Sequence, residues 1–339
     1  MKANYIRTIY FFALALLSLN LSAQETIVSE GLNYDEHTKG FVPIPAAERL
    51  LQHVTATAYY KVTNEGHVLE GAIFDKQGNL FFCDVSARRV MRLTPDKELS
   101  TIVTLHELNP GGLAFHQDGR LFIAALDLVS RRGAILAVNS DGTEMQRIIT
   151  PEAGFMPNDL LFDQHGGLYF TDFKGQSTDP QGAVYYIAPN RSTATLILPG
   201  LAMANGIALS ADGKTLWVTE FGRNLLHRIL LSDATTIAPI GTAVAYHFTG
   251  PAPDSMRADA DGNLYVAIYG QGRILVFNPD GIPIGQILYP ERTAGHHLLS
   301  TSLAINPETN DLYGVTSDGD KGNGATIFHA KSFAKGLLR

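Results

Sequence analysis

The stretch Asp261-Gly262-Asn263-Leu264-Tyr265 joins a tight turn to the start of a strand; Arg273-Ile274-Leu275-Val276-Phe277 reads as a second strand and Asn278-Pro279-Asp280-Gly281 as a further turn. Asp-Gly and its relatives close hairpins because they tolerate positive φ. Aromatic and β-branched runs fit a pleated, half-buried surface. The opening phrase recurs as Gln77-Gly78-Asn79-Leu80-Phe81, Asp118-Gly119-Arg120-Leu121-Phe122 and Gly166-Gly167-Leu168-Tyr169-Phe170. It returns as Asp212-Gly213-Lys214-Thr215-Leu216-Trp217 and, degraded, as Glu308-Thr309-Asn310-Asp311-Leu312-Tyr313. Its leucines lie at 80, 121, 168, 216, 264 and 312, with spacings of 41, 47, 48, 48 and 48 residues. Several strands in each repeat of ~40–50 residues is the mark of propeller blades. Six repeats predict an all-β, six-bladed β-propeller. A strand from residues 24–65 is expected to complete the last blade, because an open sheet edge invites unwanted pairing. The expected division is a signal peptide at 1–23, a lead-in and ring-closing segment at 24–65, and the remainder of one propeller domain at 66–339.

The repeats also align upstream of the turn. Ten residues before each leucine stand Glu70, Gly111, Asn158 and Asp254. The fourth turn is one residue longer, which brings Asn205 to the same place, and the sixth blade offers Thr301 or Ser302. This position opens the innermost strand of a blade, so Glu70, Asn158, Asn205 and Asp254 are expected to converge on the channel axis. Two carboxylates and two amides crowded there without a counter-ion would suffer repulsion and desolvation. A divalent cation removes that cost. An all-oxygen set suits a hard ion, calcium above all, with waters completing a shell of ~6–8 ligands. The absence of His and Cys from the set disfavours zinc.

Composition narrows the classes further. With 45% hydrophobic and 17% charged residues, the 339-residue chain suits a packed globular protein rather than a disordered one. The single cysteine, Cys83, excludes an intramolecular disulfide and sits in the apolar run Leu80-Phe81-Phe82-Cys83, where a buried structural thiol is expected. Lys2 and Arg7, an apolar stretch over residues 9–21 and Ser22-Ala23 read as a cleavable secretory signal. The stretch is shorter than the ~20 residues of a membrane span. Its removal takes the formal charge from −7 to −9. An acidic chain without basic clusters is a poor nucleic-acid binder. The mature protein is expected to be secreted or periplasmic, without a membrane anchor.

Glu70 in Leu69-Glu70-Gly71, Asn158 in Pro157-Asn158-Asp159, Asn205 in Ala204-Asn205-Gly206-Ile207 and Asp254 in Pro253-Asp254-Ser255 resemble the metal-binding quartet of the senescence-marker-protein/gluconolactonase family. Leu168-Tyr169-Phe170-Thr171-Asp172-Phe173 and Tyr269-Gly270-Gln271-Gly272-Arg273 point to its bacterial drug-responsive lactonase branch. The resemblance spans roughly residues 40–335 and implies a calcium-dependent hydrolase that opens lactone rings. Ser255, where many gluconolactonases have glycine, matches that branch and joins the metal set. A second ion, as the branch implies, would fall near Ser130 and residues 150–155, where Thr150 replaces the family's acid and only Glu152 is close by.

Lactone opening needs a polarised carbonyl, a deprotonated water and a protonated leaving oxygen. The resemblance gives the acid–base role to Asp254. No glycine-flanked elbow surrounds Ser255, which argues against a serine nucleophile. His296 and His297 precede the sixth inner strand, and at most one of two adjacent side chains in an extended segment would face the site. Loops on the metal-bearing face are expected to rim it with Phe155, Met156, Phe173, Met203, Phe221 and Tyr269, an apolar mouth suited to aromatic or alkyl lactones. Two other functions share these features: a non-catalytic ligand- or protein-binding propeller braced by calcium, and a calcium-dependent phosphotriesterase.

Overall fold

The computed structural model describes residues 31–190 and 193–337, so the expected signal peptide at 1–23 lies outside the described residues. Six sheets surround a central channel. The innermost strands are Leu69–Phe74, Asn109–Phe115, Pro157–Phe162, Ala204–Leu209, Pro253–Ala258 and Leu299–Ile305, one for each of blades 1 to 6. Each blade continues outward through antiparallel hairpins. The repeated turns work as their composition demands: Gly262 adopts φ +85°, while Asp259 accepts the amides of Asp261 and Asn263 at 3.0 and 2.9 Å.

The lead-in segment contributes two strands. Thr57–Thr63 pairs antiparallel with Ala325–Lys331 and forms the outer strand of blade 6. First and last parts of the chain thereby share one sheet, and the ring closes without a covalent bond. His53–Thr55 adds a parallel fifth strand to blade 5. Just before it, Glu48 is buried against Arg273 and accepts the Tyr246 hydroxyl at 2.6 Å.

Apolar side chains fill all six blade-to-blade interfaces. Leu113, Ile123 and Leu136 of blade 2 pack on Phe81 and Val90 of blade 1, and Leu303 and Phe328 of blade 6 pack on Tyr265 and Ile274 of blade 5. Cys83 is fully buried in the first of these interfaces. No blade can bury both faces alone, so the six form one cooperative unit. Among the described residues no helix is long and apolar enough to cross a membrane.

Candidate metal and substrate site

All six inner strands break their pairing with the second strand at the same place. The register shifts after Glu70, Pro110, Pro157, Ala204, Pro253 and Ser300. A bulge frees two consecutive residues from strict alternation, so both can address the channel. Glycine makes room at these bulges: a Cβ on Gly71 would lie 2.1 Å from the Gly111 carbonyl oxygen, and one on Gly206 would lie 2.6 Å from that of Asp254. These glycines let neighbouring inner strands approach closely.

Glu70, Asn205, Asp254 and Ser255 meet in the ring so formed, and half-buried Asn158 opens the bulge of blade 3. In the sixth blade the equivalent place goes to Thr301, whose hydroxyl donates to the Leu69 carbonyl of blade 1. Burial and the negative charge of Asp159 push the Glu70 carboxyl up to about 8, against the Gly71 amide, Arg257 and the Ser255 hydroxyl. Burial and the charge of Glu70 raise Asp254 well above the carboxylate range, while the Asn205 amide works the other way. The buried Oδ1 atoms of Asn205 and Asp254 have no hydrogen-bond partner.

Such orphaned acceptors are costly inside a protein. Among the described residues no three His, Cys, Asp or Glu side chains form a metal-holding group. The donors are instead two carboxylates, two amides and a hydroxyl. That set, with two oxygens unpartnered, fits a hard cation.

Four residues that the repeat count passes over complete the site. Asp159, fully buried beside Asn158, bonds Arg257 at 3.2 Å. Burial raises its carboxyl, and Arg257 opposes the shift. Thr171 accepts the Asp159 amide at 3.0 Å and donates to the Asn205 carbonyl at 2.6 Å. Thr219 donates to the Asp254 carbonyl at 2.8 Å. Both threonines stand three places after their repeat leucine, a regularity visible in the sequence. Asp159 and Arg257 carry no such signal, because only the bulge turns consecutive side chains to one side.

Around this mouth Phe173, Phe221 and Tyr269, from three successive blades, form a run of mutually inclined rings with centroids 6.0 and 5.9 Å apart. Met203, partly exposed at φ 57°, lies before the blade 4 strand. Phe155 is partly exposed and packs on Phe170 and Tyr185 at 5.4 and 4.8 Å, while Met156 is buried rather than open on the rim. Burial and the charges of Asp254 and Glu70 raise the Tyr269 phenol, which sets it near the ring. His297 is buried with φ 53° and its ring meets Phe328 at 4.9 Å, whereas His296 pairs with Asp318 at 2.9 Å. Ser130 donates its amide to Asp127 at 3.3 Å, and the segment Pro151–Ala153 forms a short 3-10 turn.

Comparison with known proteins follows the same lines. The chain is 45% identical over 309 residues to lactonase drp35 of Staphylococcus saprophyticus, covering 90% of this chain and 95% of that protein. Regucalcin of Agrobacterium tumefaciens, a calcium-binding protein, superposes with a TM-score of 0.69 at 19% identity, covering 86% of this chain and 100% of that one. A gluconolactonase of Xanthomonas campestris superposes with a TM-score of 0.66 at 20% identity, covering 83% and 96% respectively. The family profile described as SMP-30/Gluconolactonase/LRE-like region matches residues 68–317, and the chain belongs to that family.

Proposed function

We propose that this protein is a calcium-dependent lactonase acting on aromatic or alkyl lactones. The observation that carries the reading is the meeting of Glu70, Asn205, Asp254 and Ser255, with two buried oxygens left without partners, and Asn158 at the corresponding bulge of blade 3. Lactonase drp35, its relative at 45% identity, supports the reaction class. The five residues would hold a calcium ion, which when bound supplies electrophilic activation of the lactone carbonyl.

The chain's own residues do the rest. The carboxylate of Asp254 takes a proton from the attacking water as the new C–O bond forms. It then returns that proton to the ring oxygen as the acyl C–O bond breaks, so that water adds and a hydroxy acid leaves. Asn205 and Ser255 orient the two carboxylates by hydrogen bonds. Thr171 and Thr219 lock the backbone that carries Asn205 and Asp254. Phe173, Phe221 and Tyr269 cover the apolar part of the substrate and exclude water.

We read the chain as exported, on the strength of Lys2, Arg7 and the short apolar stretch at 9–21. A panel of lactones assayed with and without chelator tests the function. Chelation is expected to abolish turnover, and calcium to restore it better than zinc. Full turnover after exhaustive chelation would remove the ion from the reaction; no turnover on any lactone would remove the activity itself.

A further inference from the structure

The guanidinium of Arg257 lies across the channel. From blade 5, Nη1 reaches Asp159 Oδ2 on blade 3 at 3.2 Å and the Met256 carbonyl at 2.8 Å, and Nη2 donates to the Ala72 carbonyl on blade 1 at 3.1 Å. One side chain thus ties three alternate blades together directly beside the ring. Its partner is held just as firmly. Asp159 accepts the Leu160 amide at 2.9 Å through Oδ1, and Gly112 presses so close that an added Cβ would sit 2.5 Å from that oxygen. Beyond Arg257 the channel becomes an apolar cavity lined by Phe74, Phe115, Leu161, Leu209 and Ile305. Arg257 is therefore where the polar and apolar halves of the channel meet.

A third carboxylate beside Glu70 and Asp254 would give the ring three negative charges. Paired with Arg257, Asp159 adds none to the sum. We propose that Arg257 is the counter-charge of the cation site, holding the charge offered to the ion at the two units of Glu70 and Asp254 and so matching it to a divalent ion. This inference rests on the reading that the ring binds a cation. It makes Arg257 a positioning residue, acting through Asp159 rather than on the substrate.

The test is a comparison of calcium with terbium, a trivalent ion of similar size and ligand preference, titrated by calorimetry and luminescence into the metal-free full chain. In Arg257→Met the unpaired Asp159 adds negative charge, and the terbium-to-calcium affinity ratio is expected to rise roughly fivefold or more. In Asp159→Asn the unpaired guanidinium lowers that ratio by a similar factor. The double variant is expected to return to within about twofold of the unaltered protein. Arg257→Lys, which keeps the charge, is expected to leave the ratio in place. A strut with no electrostatic role would weaken both ions alike, and an unmoved ratio in Arg257→Met overturns the proposal. Should that variant not fold, an unmoved or raised ratio in Asp159→Asn overturns it equally. Failure of the unaltered protein to bind either ion would overturn the cation reading, and this inference with it.

Discussion

The Thr219 hydroxyl of blade 4 donates a 2.8 Å hydrogen bond to the main-chain carbonyl of Asp254 on blade 5. Thr171 of blade 3 makes the matching bond to Asn205 of blade 4 at 2.6 Å. Both ties cross a blade boundary and end on a ring residue. Thr219→Val keeps the shape and removes one buried bond, which is expected to cost about 1–2 kcal/mol of stability. The bulge it releases carries Asp254, so kcat is expected to fall about tenfold, equivalent to ~1.4 kcal/mol of barrier. Urea unfolding and steady-state kinetics check both; unchanged kcat with lowered stability would confine the bond to a structural role.

Asp254→Asn preserves the volume and one oxygen but removes the base and one negative charge. Turnover is expected to fall roughly 10²-fold or more, the range of lost general acid–base catalysis. Bound calcium must be measured alongside the rate, because metal loss would imitate a catalytic defect. A fully loaded, fully active variant rules out the assignment.

The aromatic run of Phe173, Phe221 and Tyr269 should stabilise apolar substrates by about 25 cal/mol for each Å² of apolar surface buried. A sugar lactone would lose water from its hydroxyls with few donors to replace it. After correction for spontaneous hydrolysis, kcat/KM is expected to be higher for dihydrocoumarin than for gluconolactone, and Phe221→Ala is expected to narrow the gap. A preference for gluconolactone would overturn this reading of the rim.

Burial of the His67 ring opposes its charge, but its bond to Asp84 at 3.0 Å, with Asp84's charge and Glu65, outweighs that and raises its pKa above the usual value. A raised folded-state value means that the stabilisation is complete below the unfolded value of about 6.5 and is lost as pH rises through the folded one. The stability margin of the unaltered protein over His67→Gln, read by urea unfolding, is therefore expected to shrink as pH increases through that window. A margin independent of pH would discount the pair.

Export is expected to remove about the first 23 residues, in keeping with a short apolar core that ends in small residues. Intact-mass analysis of secreted material is the direct check, and Met1 retained in it would refute the reading.

Blade number and the starts of the inner strands were legible because both are matters of counting. Six repeated turns at near-constant spacing, five of them with glycine, encode six hairpins, and ten or eleven residues upstream of each leucine lies near the start of an inner strand. The rim was legible only in part. Phe173, Phe221 and Tyr269 follow second strands and meet one another, whereas Phe155 folds back onto Phe170 and Tyr185. Hydrophobicity drives both outcomes, so the residue type alone could not separate them.

The repeat by itself therefore determined the architecture and put Glu70, Asn158, Asn205 and Asp254 at the starts of inner strands, since periodic spacing maps directly onto blade geometry. Only the tertiary structure decided that Asp159 and Arg257 pair across the channel, that Thr171 and Thr219 secure the next blade, and that Thr301 rather than Ser302 takes the sixth place. Simple alternation would send the side chains of Asn158 and Asp159 to opposite faces of the strand. The bulge cancels that alternation, and its position depends on how closely neighbouring inner strands approach, a distance set by packing around the whole ring.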